Sequence, residues 1–512
     1  MNNSPNGARS VQASLPIDLH PDNKGSNMPL LYLIGHTETF AAADLLRLFF
    51  GDPVREVTGV IHAGLDQTIL VSRLEQPADT DSLQDKKTVC IMTDIESIHL
   101  SGSVTIDAAR REIKRQLYQA LSEWTGRSYP WGSLTGIRPT LIAAECLAQM
   151  TGTGQARQKM TDYWLVSAEK ADLAIATAMA EQEILAQIPE NSLFVYIGIP
   201  FCPSRCSYCS FITRDAPAHA ALLDPYVDAV IHEARSFFDA VRQPVSALYI
   251  GGGTPTSLSA AQLQRLLYGV LPHIPLLPGA ELTVEAGRPD TIDAARLSVL
   301  RAAGTNRICI NPQTFHDSTL IRIGRQHTVR QMLDAWQLAR SMGFDRINID
   351  LIAGLPGEKP ADLAFSVQEA LALRPAGLTL HALAPKRSSD LHDTISGQAS
   401  LQTQPEWNAL LTQLRHQLAE AGLYPYYLYR QKQAIGGLEN TGFARLGCAC
   451  RYNVGMMSDR HAVVGIGSGS ISKKITDGRL ERLANPRNIA VYLQRIDELA
   501  RKKQEWFRDS GP

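Results

Sequence analysis

The run YIGIPFCPSRCSYCSF at residues 196–211 decides how this chain folds and what it can bind. Three thiols, Cys202, Cys206 and Cys209, lie within eight residues and follow the apolar segment LFVYIGIP directly. Thiolates are soft ligands that favour iron–sulfur clusters, Cu(I) or zinc. A [4Fe–4S] cluster usually takes four cysteines. Three thiols at this spacing therefore predict a cluster with one iron atom left open for a small molecule.

Two other interpretations of these thiols are a structural zinc site and ordinary buried cysteines. A structural zinc site needs a fourth Cys or His nearby. Positions 210 and 211 hold Ser and Phe, and no histidine lies between Cys209 and His219. The cluster interpretation is favoured provided that the segments downstream supply a cofactor site.

The composition is that of a globular protein, with 512 residues of which 44% are hydrophobic and 20% charged. Fifty basic and 51 acidic residues give a formal charge of -1, so neither nucleic acid nor an anionic membrane is predicted as a partner. Eight cysteines, three of them clustered, do not form the disulfide framework of a secreted protein. The polar N-terminus lacks the apolar stretch of a signal peptide, and no run of apolar residues is long enough to predict a membrane span. We expect a cytoplasmic protein.

The pattern of apolar runs divides the chain into five predicted regions. These are a disordered leader at 1–27, an α+β domain at 28–152, a helical connector at 153–190, a core at 191–395 and a smaller C-terminal α+β domain at 396–512. In the N-terminal domain, MPLLYLIGH, GVIHAGLDQTILVSRL and TVCIMTDIESIHLSG are predicted as strands, the last of them as one long strand. In the C-terminal domain, the helix PEWNALLTQLRHQLAEAG precedes a segment, PYYLYRQKQAIGGLENTG, that is predicted to be rich in turns.

In the core, six short apolar runs alternate with amphipathic helical patterns. The predicted strands are LFVYIGI, VSALYIGG, ELTVEAG, NRICINPQ, RINIDLIAG and GLTLHALA. This alternation predicts parallel strands with right-handed crossovers, and six units are too few for a full eight-fold barrel. We therefore predict an α/β fold with a partial, open (β/α)6 barrel, whose chemistry gathers at the carboxyl ends of the strands.

Glycine and polar residues stand at those strand ends. GGGTPT at 251–256 follows the second strand, and its glycines would let the backbone approach a ligand closely. Glu285, Gln313 and Asp350 lie at the ends of later strands. A glycine run is often only a tight turn, and each polar residue alone fits a helix cap or a loop hydrogen bond. Together, at successive strand ends, they predict a binding site.

On these motifs the chain resembles the radical S-adenosylmethionine (SAM) enzymes of the oxygen-independent coproporphyrinogen III oxidase-like family. CxxxCxxC with Tyr208 before its third cysteine, then GGGTPT, Glu285, QTF and DLIAGLPGE, follow that family in order through residues 196–357. The segments INPQTFHDSTLIRIGRQHT, LTLHALAPKRSS, YPYYLYRQ and GGLENTGFA, together with GIRPT at 136–140, resemble its coproporphyrinogen dehydrogenase (HemZ-like) branch. The fold that the resemblance implies is the partial radical SAM barrel.

The resemblance implies a [4Fe–4S] cluster on Cys202, Cys206 and Cys209, with SAM chelating the open iron. The further positions that it assigns to SAM or nucleoside contacts are Tyr196, Tyr208, Gly252, Gly253, Thr254, Glu285, Gln313, Arg325, Asp350, Ala382 and Ile471. The implied chemistry is cleavage of SAM to methionine and a 5′-deoxyadenosyl radical, with no catalytic residue beyond the two cofactors. That radical takes a hydrogen atom from the β-carbon of a propionate, and loss of CO2 and one electron leaves a vinyl group. Two such steps convert coproporphyrinogen III to protoporphyrinogen IX in heme biosynthesis.

The partners implied are a tetrapyrrole substrate, a reductant such as flavodoxin or ferredoxin, and an electron acceptor that the sequence does not identify. Four carboxylates on the substrate call for cations in its pocket. Arg288, Lys386 and Arg387 are candidates at strand ends, with solvated loop charges as the alternative. Phe211 stands where the oxidases of the family have a fourth cysteine, and a chaperone branch also has Phe there. The alternatives are therefore a heme-binding chaperone and a radical SAM enzyme acting on another substrate.

Two further features have simple interpretations. Arg138 in GIRPT is either a functional cation or part of an ion pair at a helix start. Cys448 and Cys450 form a CxC pair that is either a binding site or two ordinary thiols.

Overall fold

The computed structural model describes residues 14–17, 29–36, 38–50, 69–75, 88–136, 138–211, 213–384, 405–431, 434 and 437–508. The chain forms two compact units. Of the described residues, those within 14–136 and 145–175 belong to the first unit, and those within 138–144, 176–384 and 405–508 belong to the second. Within the described residues, no helix is both long and apolar enough to cross a membrane.

The first unit contains a five-stranded sheet with two helices packed on it. The strands, in sheet order, are β1 (Ser14–Ile17), β2 (Leu30–Ile34), β3 (Ile69–Glu75), β4 (Thr88–Ile95) and β5 (Ile98–Thr105). The neighbouring strands β2 and β3 run parallel to each other, and the other three neighbouring pairs are antiparallel. The helices α1 (Thr39–Phe50) and α2 (Ala109–Thr125) bury an apolar stripe against one face of the sheet, where Val89 and Ile91 alternate with more exposed residues. The helix α4 (Thr153–Asp162) also belongs to this unit, whereas α3 (Pro139–Gln149) and α5 (Ala168–Ala186) contribute residues to both units.

Two stretches of the first unit differ from the sequence prediction. The prediction of one long strand at TVCIMTDIESIHLSG is wrong, because β4 and β5 are the two arms of a hairpin in which Ile95 pairs with Ile98. The chain reverses at Glu96, which has a φ of +50°, a conformation that the residue type does not signal. Within the stretch predicted as a disordered leader, Ser14–Ile17 form β1, which pairs antiparallel with β2.

Six parallel strands form the centre of the second unit and coincide with the six predicted runs. They are β6 (Leu193–Ile199), β9 (Val245–Gly252), β10 (Leu276–Glu285), β11 (Arg307–Cys309), β12 (Ile347–Ala353) and β13 (Gly377–Ala382). They lie side by side in chain order, all parallel, within a sheet that has two free ends among the described residues. The prediction of a partial, open (β/α)6 barrel is confirmed.

Helices connect these strands, and several begin where the sequence places a capping residue. They are α6 (Ala220–Ala240), α7 (Ala260–Val270), α8 (Ala294–Ala302), α9 (Asp317–Arg322), α10 (Val329–Ser341) and α11 (Pro360–Ala372). Capping boxes at Ser259 with Gln262 and at Thr328 with Gln331 satisfy the first amide groups of α7 and α10. A short parallel pair, β7 (Phe201–Cys202) and β8 (Arg214–Asp215), follows β6.

The C-terminal segment extends the same sheet at both ends. Its elements are α12 (Pro405–Glu420), β14 (Tyr424–Arg430), β15 (Glu439–Ala444), α13 (Arg451–Met457), β16 (Val463–Ile466), β17 (Ile471–Thr476), β18 (Arg479–Ala484), α14 (Ile489–Gln494) and α15 (Ile496–Arg508). β15 lies antiparallel to β13, and β16 lies parallel to β6. The prediction of turns at PYYLYRQKQAIGGLENTG is wrong for β14 and β15, where aromatic side chains pack well on a pleated surface.

A buried carboxylate, Glu233 on α6, ties the last helices to the barrel. It is fully buried and accepts hydrogen bonds from Tyr492 Oη at 2.7 Å, Asn485 Nδ2 at 2.8 Å and the Gly467 amide at 2.8 Å. The ammonium of Lys503 on α15, equally buried, forms an ion pair with the same carboxylate.

Arg138 lies in an ion pair, but its partner is far along the chain. Its guanidinium donates to Asp459 Oδ1 at 2.6 Å and to the Met457 carbonyl at 3.1 Å. The pair therefore links the GIRPT segment to the loop after α13, which supports a structural role.

Candidate active site

A cavity of about 260 Å³ opens at the carboxyl ends of the barrel strands. It is lined by twelve of the fourteen site residues that the sequence predicts, which are Cys202, Cys206, Tyr208, Cys209, Gly252, Gly253, Thr254, Glu285, Gln313, Arg325, Asp350 and Ala382. Parallel strands bring their carboxyl ends to one edge of a sheet, so residues far apart in sequence meet there.

The other two predicted residues, Tyr196 and Ile471, do not line this cavity. Tyr196 in β6 is stacked with Tyr249 and Tyr452, and a Cβ on Gly252 would lie 3.0 Å from its hydroxyl oxygen. Ile471 is the first residue of β17 and is 41% exposed. The Tyr196 hydroxyl therefore packs directly against Gly252.

The cysteine loop, residues 202–209, leaves β6 and is held at several points. The Ala216 amide donates to the Cys202 carbonyl at 2.8 Å, and the Ser207 amide donates to the Ile323 carbonyl at 3.1 Å. The hydroxyl of Thr254 lies 3.6 Å from the Cys202 sulfur. These contacts fix the loop to neighbouring segments of the second unit.

The three thiols of the cysteine loop all line the cavity. Within the described chain, no three His, Cys, Asp or Glu side chains converge as the ligands of one metal ion would. A cluster needs no such convergence, because each cysteine binds a different iron atom. Burial raises the pKa of Cys202 and raises that of Cys209 to about 11, so binding iron must displace protons from these thiols.

The glycine run forms a cradle in which side chains would collide with their surroundings. A Cβ on Gly251 would lie 2.9 Å from the Glu285 carboxylate, and one on Gly253 would lie 2.9 Å from the Ile199 carbonyl oxygen. Gly252 has a φ of +107°, which side-chain-bearing residues rarely adopt. Gly252 and Gly253 also line the cavity, where their backbone can come close to a ligand.

Glu285 lines the cavity and contacts the glycine run. It accepts hydrogen bonds from Tyr249 Oη and from the Gly252 amide, the latter at 3.2 Å. Burial, reinforced by the charge of Asp350, raises the pKa of Glu285 to about 7. This carboxylate is partly protonated near neutral pH until a cationic group lies beside it.

Three polar side-chain atoms of residues that line the cavity have no hydrogen-bond partner among the described residues. They are Gln313 Oε1, Asn311 Oδ1 and Arg325 Nε, all buried. Gln313 also has a φ of +72°, an uncommon conformation for a residue other than glycine. Buried polar groups without partners cost stability, so these atoms fit a polar ligand such as a nucleoside.

Comparison with known proteins assigns the chain to a family. The Radical SAM superfamily matches residues 196–370. The oxygen-independent coproporphyrinogen-III oxidase-like protein HemZ of Bacillus subtilis is 34% identical over 431 residues, which are 80% of this chain and 83% of that protein. The chain is a HemN-like radical SAM protein. Membership of this family implies SAM and an iron–sulfur cluster as cofactors, and the residues that line the cavity fit both.

Other relatives of this radical SAM protein have a different described role. The heme chaperone HemW of Escherichia coli is 31% identical over 314 residues, which are 60% of this chain and 77% of that protein. The solved structure of the coproporphyrinogen III oxidase HemN of Escherichia coli matches with a TM-score of 0.49 and 26% identity, covering 63% of this chain and 73% of that one. By sequence similarity, the relatives of this HemN-like protein include both an oxygen-independent coproporphyrinogen III oxidase and a heme chaperone of Escherichia coli.

The cavity residues that the sequence did not identify include His381, Tyr429 and Asn440. His381 Nδ1 lies 3.3 Å from Asn440 Oδ1 and 3.4 Å from Tyr429 Oη. Because Asn440 Oδ1 already accepts from the Ala382 amide at 3.1 Å, the imidazole donates through Nδ1, and Nε2 lies 3.7 Å from Asp350 Oδ2. Burial alone would lower the pKa of His381, but Asp350, Asn440 and Glu285 raise it above its usual value. His381 is directly before Ala382 at a strand end, so the strand-end rule could have found it.

Arg288, predicted as a carboxylate-binding cation, lines the cavity of this radical SAM protein but points into the cysteine loop. Lys386 and Arg387, the other two candidates, lie outside the described residues. Phe211 lines the cavity and is 66% exposed.

The CxC pair does not line the cavity. Cys450 is buried and donates to Glu281 Oε1 at 3.1 Å, near the beginning of the parallel part of β10. Arg307, the first residue of β11, donates to the Cys448 carbonyl at 2.8 Å. These contacts support the interpretation of two ordinary thiols that help to close the amino-terminal end of the barrel.

Proposed function

We propose that this chain converts propionate side chains of coproporphyrinogen III to vinyl groups without oxygen, giving protoporphyrinogen IX for heme biosynthesis. The proposal is supported by the extent of similarity to HemZ, which spans 80% of this chain, whereas similarity to the E. coli chaperone spans 60%. The observation that carries it is the single cavity that joins the three thiols, the glycine cradle and His381, whose pKa is raised by Asp350, Asn440 and Glu285.

The cofactors proposed are a [4Fe–4S] cluster on the three cysteines and SAM on its open iron. When bound, they supply a 5′-deoxyadenosyl radical, with the initial electron coming from a reductant of the flavodoxin or ferredoxin class. On the substrate, a C–H bond at the β-carbon loses a hydrogen atom to that radical and the bond to the carboxylate breaks. CO2 leaves, one electron passes to an acceptor, and the two remaining carbons become a vinyl group.

The residues of the chain hold and orient both molecules. Gly252, Gly253 and Glu285 are proposed to bind the methionine part of SAM, where backbone groups and a carboxylate can pair with its amine. Gln313 and Arg325 each have a polar atom that finds no partner among the described residues and could contact SAM. His381 is proposed to bind a substrate carboxylate, since its raised pKa keeps the imidazole charged closer to neutral pH.

Replacing His381 with glutamine is expected to raise the KM for coproporphyrinogen III by about ten- to a hundredfold, because a charge-assisted hydrogen bond is lost. The His381 imidazole binds a carboxylate at pH values below its folded pKa, where it is protonated, and loses that ability as the pH rises through this pKa. The KM of the wild type should therefore rise with pH, while the KM of H381Q should not change with pH. Steady-state kinetics under anaerobic conditions measure both. His273→Gln, on a histidine outside the cavity, is the matched control and should behave as wild type. A wild-type KM in H381Q would contradict this role.

A heme chaperone is the second candidate function. It is favoured by the similarity to HemW and by the exposed Phe211 at the cavity, which stands where the oxidases have a fourth cysteine. A chaperone would bind heme at one equivalent per chain and release it to another protein without turning over porphyrinogen.

One anaerobic assay separates the two functions. Reconstituted protein is incubated with coproporphyrinogen III, a reductant and SAM, and products are followed by mass. The oxidase proposal expects CO2 and protoporphyrinogen IX, at two CO2 per substrate. Cleavage of SAM with no CO2 from coproporphyrinogen III would overturn it, and tight heme binding in the same preparation would establish the chaperone alternative.

A further inference from the structure

Arg288 is a buried cation beside the cysteine loop. It follows β10 by three residues, and its side chain is only 3% exposed. A guanidinium has five N–H donors and accepts no hydrogen bond. Its hydrogen bonding is therefore fully described by the partner of each of the five N–H groups.

All five donors of Arg288 have acceptors within the protein. Nε donates to Asp290 Oδ1 at 3.1 Å, and Nη2 donates to Asp290 Oδ2 at 3.2 Å and to Ser204 Oγ at 2.9 Å. Nη1 donates to the Ser204 carbonyl at 3.3 Å and lies 3.5 Å from the Cys206 sulfur. No N–H remains for a substrate carboxylate, so Arg288 does not fit the role of a substrate cation that the sequence suggested.

We propose that Arg288 is a positioning residue for the iron–sulfur cluster, which fixes the cysteine loop through Ser204 and donates an N–H to the Cys206 sulfur. The reduced cluster carries one more negative charge than the oxidised one. A cation and a hydrogen bond at a ligating sulfur stabilise that added charge, and more strongly in a buried site than in water. Arg288 therefore raises the reduction potential of the cluster, so that the physiological reductant can transfer an electron to it more easily.

The geometry around Arg288 holds its guanidinium in one orientation. Asp290 receives two parallel hydrogen bonds, the arrangement that fixes a guanidinium most strictly. His327 lies behind Asp290, with Nδ1 3.8 Å from Oδ1, and burial lowers its pKa to about 3, so it is uncharged and does not compete for the carboxylate. The inference rests on cluster binding by the three cysteines, and it does not depend on the substrate.

The test is a redox titration of reconstituted protein, followed by the EPR signal of the reduced cluster, with iron and sulfide content measured on the same samples. In Arg288→Gln the ratio of reduced to oxidised cluster at a fixed potential is expected to fall about tenfold, which is 59 mV for a one-electron couple. Arg288→Lys should lower the ratio by less. It keeps the positive charge, but a compact ammonium cannot donate hydrogen bonds to Asp290, Ser204 and Cys206 at the same time. Arg296→Gln removes a partly buried arginine that pairs with Asp293 away from the loop, and it should match wild type.

Each outcome bears on the proposal. A wild-type ratio in R288Q overturns it. If R288Q does not retain the cluster, the ratio is measured in R288K, where a lowered value supports the proposal and a wild-type value overturns it. A wild-type chain that binds no cluster overturns the proposed function together with this inference, whereas a wild-type cluster with an unchanged R288Q ratio overturns this inference alone.

Discussion

Replacing Cys206 with alanine is expected to abolish both the iron–sulfur cluster and every SAM-dependent activity of the protein. Cys206 is 8% exposed, lines the cavity, and lies between the other two thiols in sequence. Two cysteines cannot hold a cluster that already lacks a fourth protein ligand. Iron content should fall from about four atoms per chain to near zero, and activity should fall by more than about a thousandfold, as when a group essential to the chemistry is removed.

The matched control is Cys90→Ser, which removes a thiol from β4 in the first unit. Iron and sulfide analysis, the visible absorption of the cluster and SAM cleavage should be unchanged in C90S. Circular dichroism of C206A should remain that of the wild type, because the loop is held by backbone contacts and by Arg288. Retained activity in C206A would exclude the proposed mechanism.

Replacing Glu233 with glutamine is expected to lower the free energy of unfolding of the barrel unit by about 3–5 kcal/mol, the range for breaking a buried ion pair. The substitution leaves the ammonium of Lys503 buried without its counter-charge. It also weakens the hydrogen bonds that Tyr492 Oη and Asn485 Nδ2 donate to the side chain of residue 233. These hydrogen bonds connect α14 and the loop before it to α6. Urea unfolding followed by circular dichroism at pH 7 measures the change.

The effect of Glu233 should depend on pH in a defined direction. Burial alone would raise the pKa of Glu233, but the charge of Lys503 and the hydrogen bonds of its neighbours bring it below its usual value. A carboxylate with a depressed pKa adds stability above its unfolded pKa, about 4.3 for Glu, and that stability is lost as the pH falls through the folded pKa. The difference between wild type and E233Q should therefore shrink at low pH. Glu498→Gln, in an exposed pair with Arg495, should change little at any pH, and an equal effect of both variants would refute this account.

The barrel could be predicted from the sequence because its signals are local. Strands buried on both faces appear as continuous apolar runs, and LFVYIGI and VSALYIGG match β6 and β9 residue for residue. The hairpin of β4 and β5 could not be found in the same way, because its turn at Glu96 lacks the Asn-Gly or Asp-Gly signal of tight hairpins.

The site was predictable where its residues follow strands, and less so where they depend on distant parts of the chain. Glu285 and Asp350 come from the strand-end rule together with the family motifs. Asn440 and Tyr429 reach the cavity only because β15 pairs with β13 and β14 pairs with β15, which is a matter of sheet order. The sequence identifies Arg288 as a cation near a strand end. Its partners Ser204 and Cys206 lie more than eighty residues earlier, so its contacts depend on the folding of distant segments and cannot be inferred from local sequence.

The pairing of β16 with β6 affects how the protein is made. One neighbour of β6 is β9, which follows soon after, but the other is β16, at Val463–Ile466. A ribosome adding about 5–20 residues per second needs on the order of 10 to 50 s to reach β16 from β6. Throughout that interval β6, the strand from which the cysteine loop leaves, has one bare edge, the kind of surface that invites aggregation. Completion of the pairing of β6 therefore waits for the last part of the chain, which also supplies Tyr429 and Asn440 to the cavity, so translation of the C-terminal segment sets when a finished site can first exist.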